Sequence, residues 1–166
     1  MRTTSERRVP PARDVRHQLR RDHERVLAEL EALRREGDDR RCQAMLRVVR
    51  RKWMIHTLAR ESVVYRALEG VEAGNEPGSG AGLRFAEHER IGSLFEKLAR
   101  TRSCTGEWRV SLAVARGLIE RRIAVEQEAL IPQLAQRLDE AQLAEMGRQF
   151  ESVCTKLTVL EEAKAA

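Results

Sequence analysis

Apolar residues recur every three or four positions along most of the chain, which is the pattern of amphipathic helices. The pattern predicts four long helices, at about residues 12–35, 39–69, 83–102 and 107–138, and a shorter fifth helix that begins at Asp139. No segment shows the alternation of apolar and polar residues that is typical of a strand. We therefore predict an all-α fold: an antiparallel up-down four-helix bundle with a short C-terminal helix packed alongside.

Glycine, proline and acidic residues mark the breaks between these helices. Gly37 is expected to end the first helix, and Asp38 or Asp39 to cap the second. Residues 69–82 contain five glycines and a proline and are predicted to form a flexible loop. Residues 1–11 are polar and basic and end in Pro-Pro, so we predict a disordered tail, followed by a single domain over residues 12–166. Pro132 should kink or shorten the fourth helix.

Composition and charge narrow the class of protein. The three cysteines show no short spacing of a metal or disulfide motif, which favours a reducing compartment and a cytoplasmic protein. No apolar run approaches the length that crosses a membrane. The net charge is +5, with the basic excess in the first sixty residues. Because acidic and basic residues alternate there, a solvated helical surface is favoured over a nucleic-acid interface.

Several polar residues interrupt the apolar stripes near the middle of the predicted helices. A single inward histidine is more often a hydrogen-bonded core residue than a ligand. Histidines at matching depth on three helices instead favour a site in the bundle core, and imidazoles with a carboxylate suit iron, manganese or zinc. The residues of this set are His23, His56, Arg60, His88, Arg122 and Glu126.

Five segments in order resemble the hemerythrin-like, or HHE cation-binding, domain family over about residues 14–153. The segments are RRDHERVLAEL, IHTLARESVVYRAL, FAEHERIGSLFEKL, RRIAVEQEALIPQL and LDEAQLAEMGRQF. The resemblance implies metal ligands at His23, His56 and His88, and a non-haem di-iron centre in the bundle core. Members of the family carry or sense oxygen, or respond to nitric oxide, redox state or iron, and a few handle peroxide.

The chain departs from the family pattern at two ligand positions. Arg60 stands where the second motif has a carboxylate, with Glu61 next to it. In the fourth motif Arg122 takes the place of the ligand histidine, and Glu126 is the carboxylate four residues later. Arginine stays protonated and cannot ligate a metal. We predict that both arginines turn inward and pair with Glu126 and Glu61, since a buried carboxylate without metal needs a cation.

The alternative is that Arg60 and Arg122 extend along the bundle surface and carry no such role. The remaining ligand candidates are His23, His56, His88 and Glu126, with Glu61 in reserve. They predict either no metal or a single iron rather than a di-iron centre.

Three functions follow from this pattern, in decreasing order of expectation. The first is a binding, sensing or regulatory protein with a degenerate site, acting on a protein partner or as a homodimer. The second is iron-dependent binding of oxygen, nitric oxide or peroxide, and the third is a basic nucleic-acid-binding bundle. No nucleophile or acid–base pair stands out, so catalysis is less expected than binding, although enzyme status stays open.

Overall fold

A computed structural model of the chain describes residues 14–68 and 79–165. The predicted tail, and most of the predicted glycine-rich loop, lie outside these ranges. Two π-helical turns are present: Arg60–Tyr65 continues α2 to Leu68, and Glu126–Leu130 joins α4 to α5. The helices are α1 (Val15–Arg35), α2 (Asp39–Ala59), α3 (Ser79–Arg100), α4 (Glu107–Val125), α5 (Ile131–Arg137) and α6 (Glu140–Ala165).

The helices pack as the predicted all-α bundle. Each of α1 to α4 lies against the next, and α4 returns to pack against α1, which closes the ring of four. Short connections at residues 36–38 and 101–106 make the successive pairs antiparallel. The C-terminal helix α6 packs on α1 and α2 and is 26 residues long, longer than the short helix predicted. None of the described helices is long and apolar enough to cross a lipid bilayer.

The turn between α1 and α2 depends on a side-chain cap rather than on glycine conformation. Asp38 accepts the backbone N–H of Arg41 at 2.8 Å, as expected of an N-cap. The chain leaves α1 in an extended conformation at Glu36, and Gly37 does not adopt a positive φ. Among the described residues only Gly106, before α4, has a left-handed φ, of 46°.

The core consists of two apolar clusters stacked along the bundle. The first joins α1, α2, α3 and α4, and its largest members are Trp53, Phe95 and Trp108. The second joins α1, the two π-helical turns, α5 and α6, with Phe150 as its largest member. Residues 86–100 of α3 contribute to the first cluster, and α6 contributes to the second, where it packs on α1 and α2.

The π-helical turns shift the buried face of both helices by one residue. Regular α-helical spacing continued from Val63 and Glu126 predicts Ala67 and Ala129 as the next inward residues, but the structure buries Leu68 and Leu130 instead. A π-helical turn contains one residue more than an α-helical turn, so every later side chain rotates by one position. The prediction of the inward residues is therefore correct before each turn and wrong by one residue after it.

The N-terminus of α6 is stabilised by side-chain capping, which can be tested by substitution. Asp139 accepts the N–H of Gln142 at 2.8 Å, and Gln142 accepts the N–H of Asp139 at 2.9 Å, which is a reciprocal capping box. We expect Asp139→Ala to lower the free energy of unfolding by about 1 kcal/mol in urea titrations followed by circular dichroism. Asp139→Asn retains an acceptor and should stay close to the unsubstituted protein. An equal loss in both variants would contradict the cap.

Candidate metal centre

A layer of polar side chains separates the two apolar clusters; we call it the polar layer. Its members are almost completely buried, with exposed fractions between 0% and 7%. Two of them, Arg60 and Glu126, are the first residues of the two π-helical turns. Because these two side chains are hydrogen-bonded, the turns face each other across the bundle. π-Helical turns inside α-helices occur frequently at functional sites. The polar layer comprises His23 on α1, His56 on α2, Arg60 and Glu126 on the π-helical turns, and Arg122 on α4.

The Glu126 carboxylate is the centre of the polar layer, and its two oxygens face different partners. Oε1 accepts hydrogen bonds from Arg60 Nη1 and from Arg122 Nε, the latter at 3.1 Å. Oε2 lies 2.9 Å from Nε2 of His23 and 3.8 Å from Nε2 of His56. One oxygen therefore faces guanidinium groups, and the other faces imidazole nitrogens that could bind a metal ion.

The charges of the polar layer compensate one another inside the protein. Burial raises the pKa of Glu126, but the imidazoles of His23 and His56 and the charge of Arg60 outweigh it, so that pKa lies below its usual range. Burial lowers the pKa of Arg60, and the Glu126 carboxylate opposes this shift. Burial also lowers the pKa of His23, against the effect of Glu126. The site therefore holds an ionised carboxylate and favours neutral His23.

His56 is enclosed by rings on three sides. The ring centroids of His23 and His56 are 5.0 Å apart in an edge-on arrangement, and Trp53 stacks on His56 at 6.0 Å. Phe150 of α6 meets His56 edge-on, also at 6.0 Å. Both ring nitrogens of His56 are buried and have no hydrogen-bond partner among the described residues. Such unsatisfied buried nitrogens are expected where a metal ion or water belongs.

Two residues beyond the polar layer hold Arg122 in place. Its Nη2 donates a hydrogen bond to the Tyr65 hydroxyl at 2.7 Å, and Nη1 lies 3.7 Å from Glu87 on α3. Both guanidinium carbons lie near the Tyr65 ring, at 5.4 Å for Arg60 and 5.9 Å for Arg122. These contacts place the arginines within the bundle rather than along its surface.

Two of the predicted ligands lie outside this group. Glu61 is exposed, because it follows Arg60 at the next position around the helix. His88 is half-buried and lines a separate cavity of about 520 Å³ together with Trp53 and Gly92. Among the described residues, the phenylalanine ring beside His56 is Phe150 of α6 and not a residue of α3. The buried residues described on α3 belong to the first apolar cluster. The ligand roles of Glu61 and His88 therefore have no geometric support in the described residues.

The residues present fit one divalent ion. His23, His56 and Glu126 each offer one ligand atom, and these atoms all lie within 4.8 Å of one another. Two imidazole nitrogens and a carboxylate oxygen suit iron, manganese or zinc, and three protein ligands leave further positions open. Within the described residues no second group of three such side chains is present.

A binuclear centre does not fit the same residues. Arg60 and Arg122 already place two fixed positive charges against the single carboxylate of Glu126 in the buried layer. Each divalent ion adds two more positive charges, and the carboxylates of Asp22 and Glu87 nearby are partly exposed and offset only part of them. Uncompensated charge is strongly unfavourable in a buried, low-dielectric site. Oε1 of Glu126 is also already occupied by the two arginines.

The comparison with protein families identifies the class of protein. The model of the hemerythrin HHE cation binding domain matches residues 14–134, which is well over half of the chain. The chain therefore belongs to the hemerythrin HHE cation-binding family, as the sequence motifs indicated. Comparison with curated proteins and with solved structures gave no match. The family and the cluster of His23, His56 and Glu126 together define a metal-binding helical domain.

Sequence reasoning missed several residues that shape the site. Tyr65 was visible as the aromatic residue at the end of the second motif, and Asp22 as the residue before His23. Their contacts with Arg122 and His56 depend on how the helices meet, which helical spacing does not specify. Phe150 lies in the last motif, but nothing in the sequence indicates that α6 reaches the polar layer.

The pairing of Glu126 with two arginines predicts a large effect on stability. Glu126→Gln keeps the side-chain shape but removes the carboxylate shared by the two buried guanidinium groups, and leaves Arg122 with only the longer contact to Glu87. We expect it to lower the free energy of unfolding by about 3–5 kcal/mol, as measured by chemical denaturation.

Glu61→Gln provides the matched control for this measurement. It makes the same chemical change at an exposed position on the facing π-helical turn, and it should leave the free energy of unfolding nearly unchanged. Equal, small effects of the two substitutions would contradict a buried charge network centred on Glu126.

Proposed function

We propose that this chain is a binding and sensing protein of the hemerythrin HHE family with a degenerate metal centre. Its core holds a single divalent ion, most naturally iron, at His23, His56 and Glu126. Arg60 and Arg122 replace the second metal ion of a binuclear centre by fixed protein charges. The observation that carries this proposal is the division of the Glu126 carboxylate, with Oε1 on the arginines and Oε2 on the imidazoles.

The arrangement supports binding rather than catalysis. The charged groups of the polar layer are engaged with one another, and no nucleophilic side chain lies among them. An ion held by three protein ligands retains positions for a small exogenous ligand. A cavity of about 250 Å³ reaches His56 between α1, α2 and α6, and it offers such a ligand a route to the site. The proposal therefore includes response to a small molecule or to redox state at the ion.

The proposal predicts one metal ion per chain. Purified protein is loaded anaerobically with ferrous iron, desalted and analysed for metal by elemental analysis. His23→Ala and His56→Ala should abolish binding, because each removes one of only three ligand side chains. His88→Ala and Glu61→Ala should leave the stoichiometry unchanged.

His17→Ala is the control for these measurements. His17 lies on α1, like His23, but its side chain is exposed. Two ions per chain in the unsubstituted protein would contradict the replacement of metal by arginine. No bound ion would contradict the mononuclear centre and leave a bundle core held together by Arg–Glu pairs.

If Arg60 and Arg122 replace a metal ion, substituting both by metal-binding residues should increase the number of ions bound per chain. Arg60→Glu combined with Arg122→His removes both guanidiniums and introduces a carboxylate and an imidazole beside Oε1 of Glu126. We expect this double variant to bind more than one iron per chain in the same elemental analysis. Arg60→Gln combined with Arg122→Gln removes the same charges without adding a carboxylate or an imidazole. This control variant should bind no more than one iron per chain. Equal stoichiometry in both double variants would contradict the interpretation.

A further inference from the structure

The imidazole of His56 lies between two carboxylates, only one of which belongs to the polar layer. Its Nε2 is 3.8 Å from Oε2 of Glu126, and its Nδ1 is 3.6 Å from Oδ2 of Asp22. The ring is 97% buried, so no bulk solvent competes for its nitrogens. A neutral imidazole has a single N–H, and the two carboxylates therefore compete for one proton.

Of the two carboxylates, Asp22 is the better hydrogen-bond acceptor for the N–H of His56. Glu126 already receives hydrogen bonds from two arginines, and His23 lies 2.9 Å from its second oxygen. Asp22 has a weaker cationic neighbour, since Nε of Arg21 is 3.9 Å from Oδ1. A carboxylate with fewer donors and less compensating charge attracts an N–H more strongly.

The position of Asp22 on α1 allows it to reach across to α2. Adjacent residues of an α-helix point about 100° apart, so Asp22 and His23 face different sides of His56. Asp22 is about one-fifth exposed and lines the cavity that also reaches His56 and Cys154. This cavity leaves the carboxylate room to shorten the 3.6 Å separation to a hydrogen bond.

We propose that Asp22 is a positioning residue for His56. Its carboxylate accepts the Nδ1–H and holds the imidazole in the tautomer whose Nε2 presents a lone pair to the ion site. Carboxylate–histidine pairs of this kind orient metal-binding imidazoles and increase their basicity. His23 has no equivalent support among the described residues, because its buried Nδ1 lacks a hydrogen-bond partner. The metal-binding part of this inference rests on the proposed function, whereas the tautomer does not.

The tautomer is tested in metal-free, full-length protein labelled with ¹⁵N. Long-range ¹H–¹⁵N correlation spectra distinguish Nδ1–H from Nε2–H, and single substitutions assign the four histidines. We expect the Nδ1–H form for His56 in the unsubstituted protein and the Nε2–H form in Asp22→Ala. Asp22→Asn retains a carbonyl acceptor and should preserve the Nδ1–H form. An unchanged His56 spectrum in Asp22→Ala, or the Nε2–H form without substitution, would overturn the proposal.

Glu29→Ala is the matched control. Glu29 is an acidic residue of the same helix, lines the same cavity and has a similar exposed fraction, but it pairs with Lys52. Its removal should leave the His56 spectrum as it is. If Glu29→Ala and Asp22→Ala alter the spectrum equally, a general loss of negative charge explains the effect and the positioning role is refuted.

The second readout is the dissociation constant for cobalt(II), measured by competition with a chelator. Asp22→Ala should weaken binding about 10- to 100-fold, which is the usual effect of losing an outer carboxylate partner. Glu29→Ala should leave the affinity unchanged, and equal affinities of both variants would overturn the positioning role. If the unsubstituted protein binds no ion, the proposed function fails, and the tautomer measurement alone decides the role of Asp22.

Discussion

A buried carboxylate that must remain ionised is the constraint on which the rest of this core depends. Glu126 has no exposed surface, and its charge is acceptable only because two guanidiniums and two imidazoles surround it. Each of these partners is held in turn, Arg122 by Tyr65 and His56 by aromatic rings. The polar layer therefore behaves as one unit, in which removal of a single member leaves other groups buried without a partner.

The helices that pass through the polar layer change their winding at its level. Both π-helical turns begin at charged residues of the polar layer, Arg60 and Glu126, at the level where the two apolar clusters meet. The first cluster includes Phe95 of α3, and the second includes Phe150 of α6. The C-terminal helix lies beyond the residues matched by the family model, yet it supplies Phe150 to the site. The site thus depends on an element outside the family's matched region.

Helical spacing was sufficient to identify the fold and the inward polar residues up to each π-helical turn. His23, His56, Arg60, Arg122 and Glu126 all interrupt an apolar stripe, so their burial follows from periodicity alone. The one-residue shift that buries Leu68 and Leu130 depends on local packing and leaves no mark on that pattern. Periodicity also indicates which way a side chain faces but not which helix it meets. For this reason it grouped His88 with the other histidines although α3 places it beside a separate cavity.

The two fixed guanidiniums have an electronic consequence for any ion that changes its oxidation state in this core. A charge that cannot be neutralised opposes the further positive charge of a ferric ion more than that of a ferrous ion, and low dielectric strengthens this difference. Arg60 and Arg122 share a carboxylate with the ion site, so their charge acts at short range. The reduction potential of an iron bound there would therefore be shifted upward.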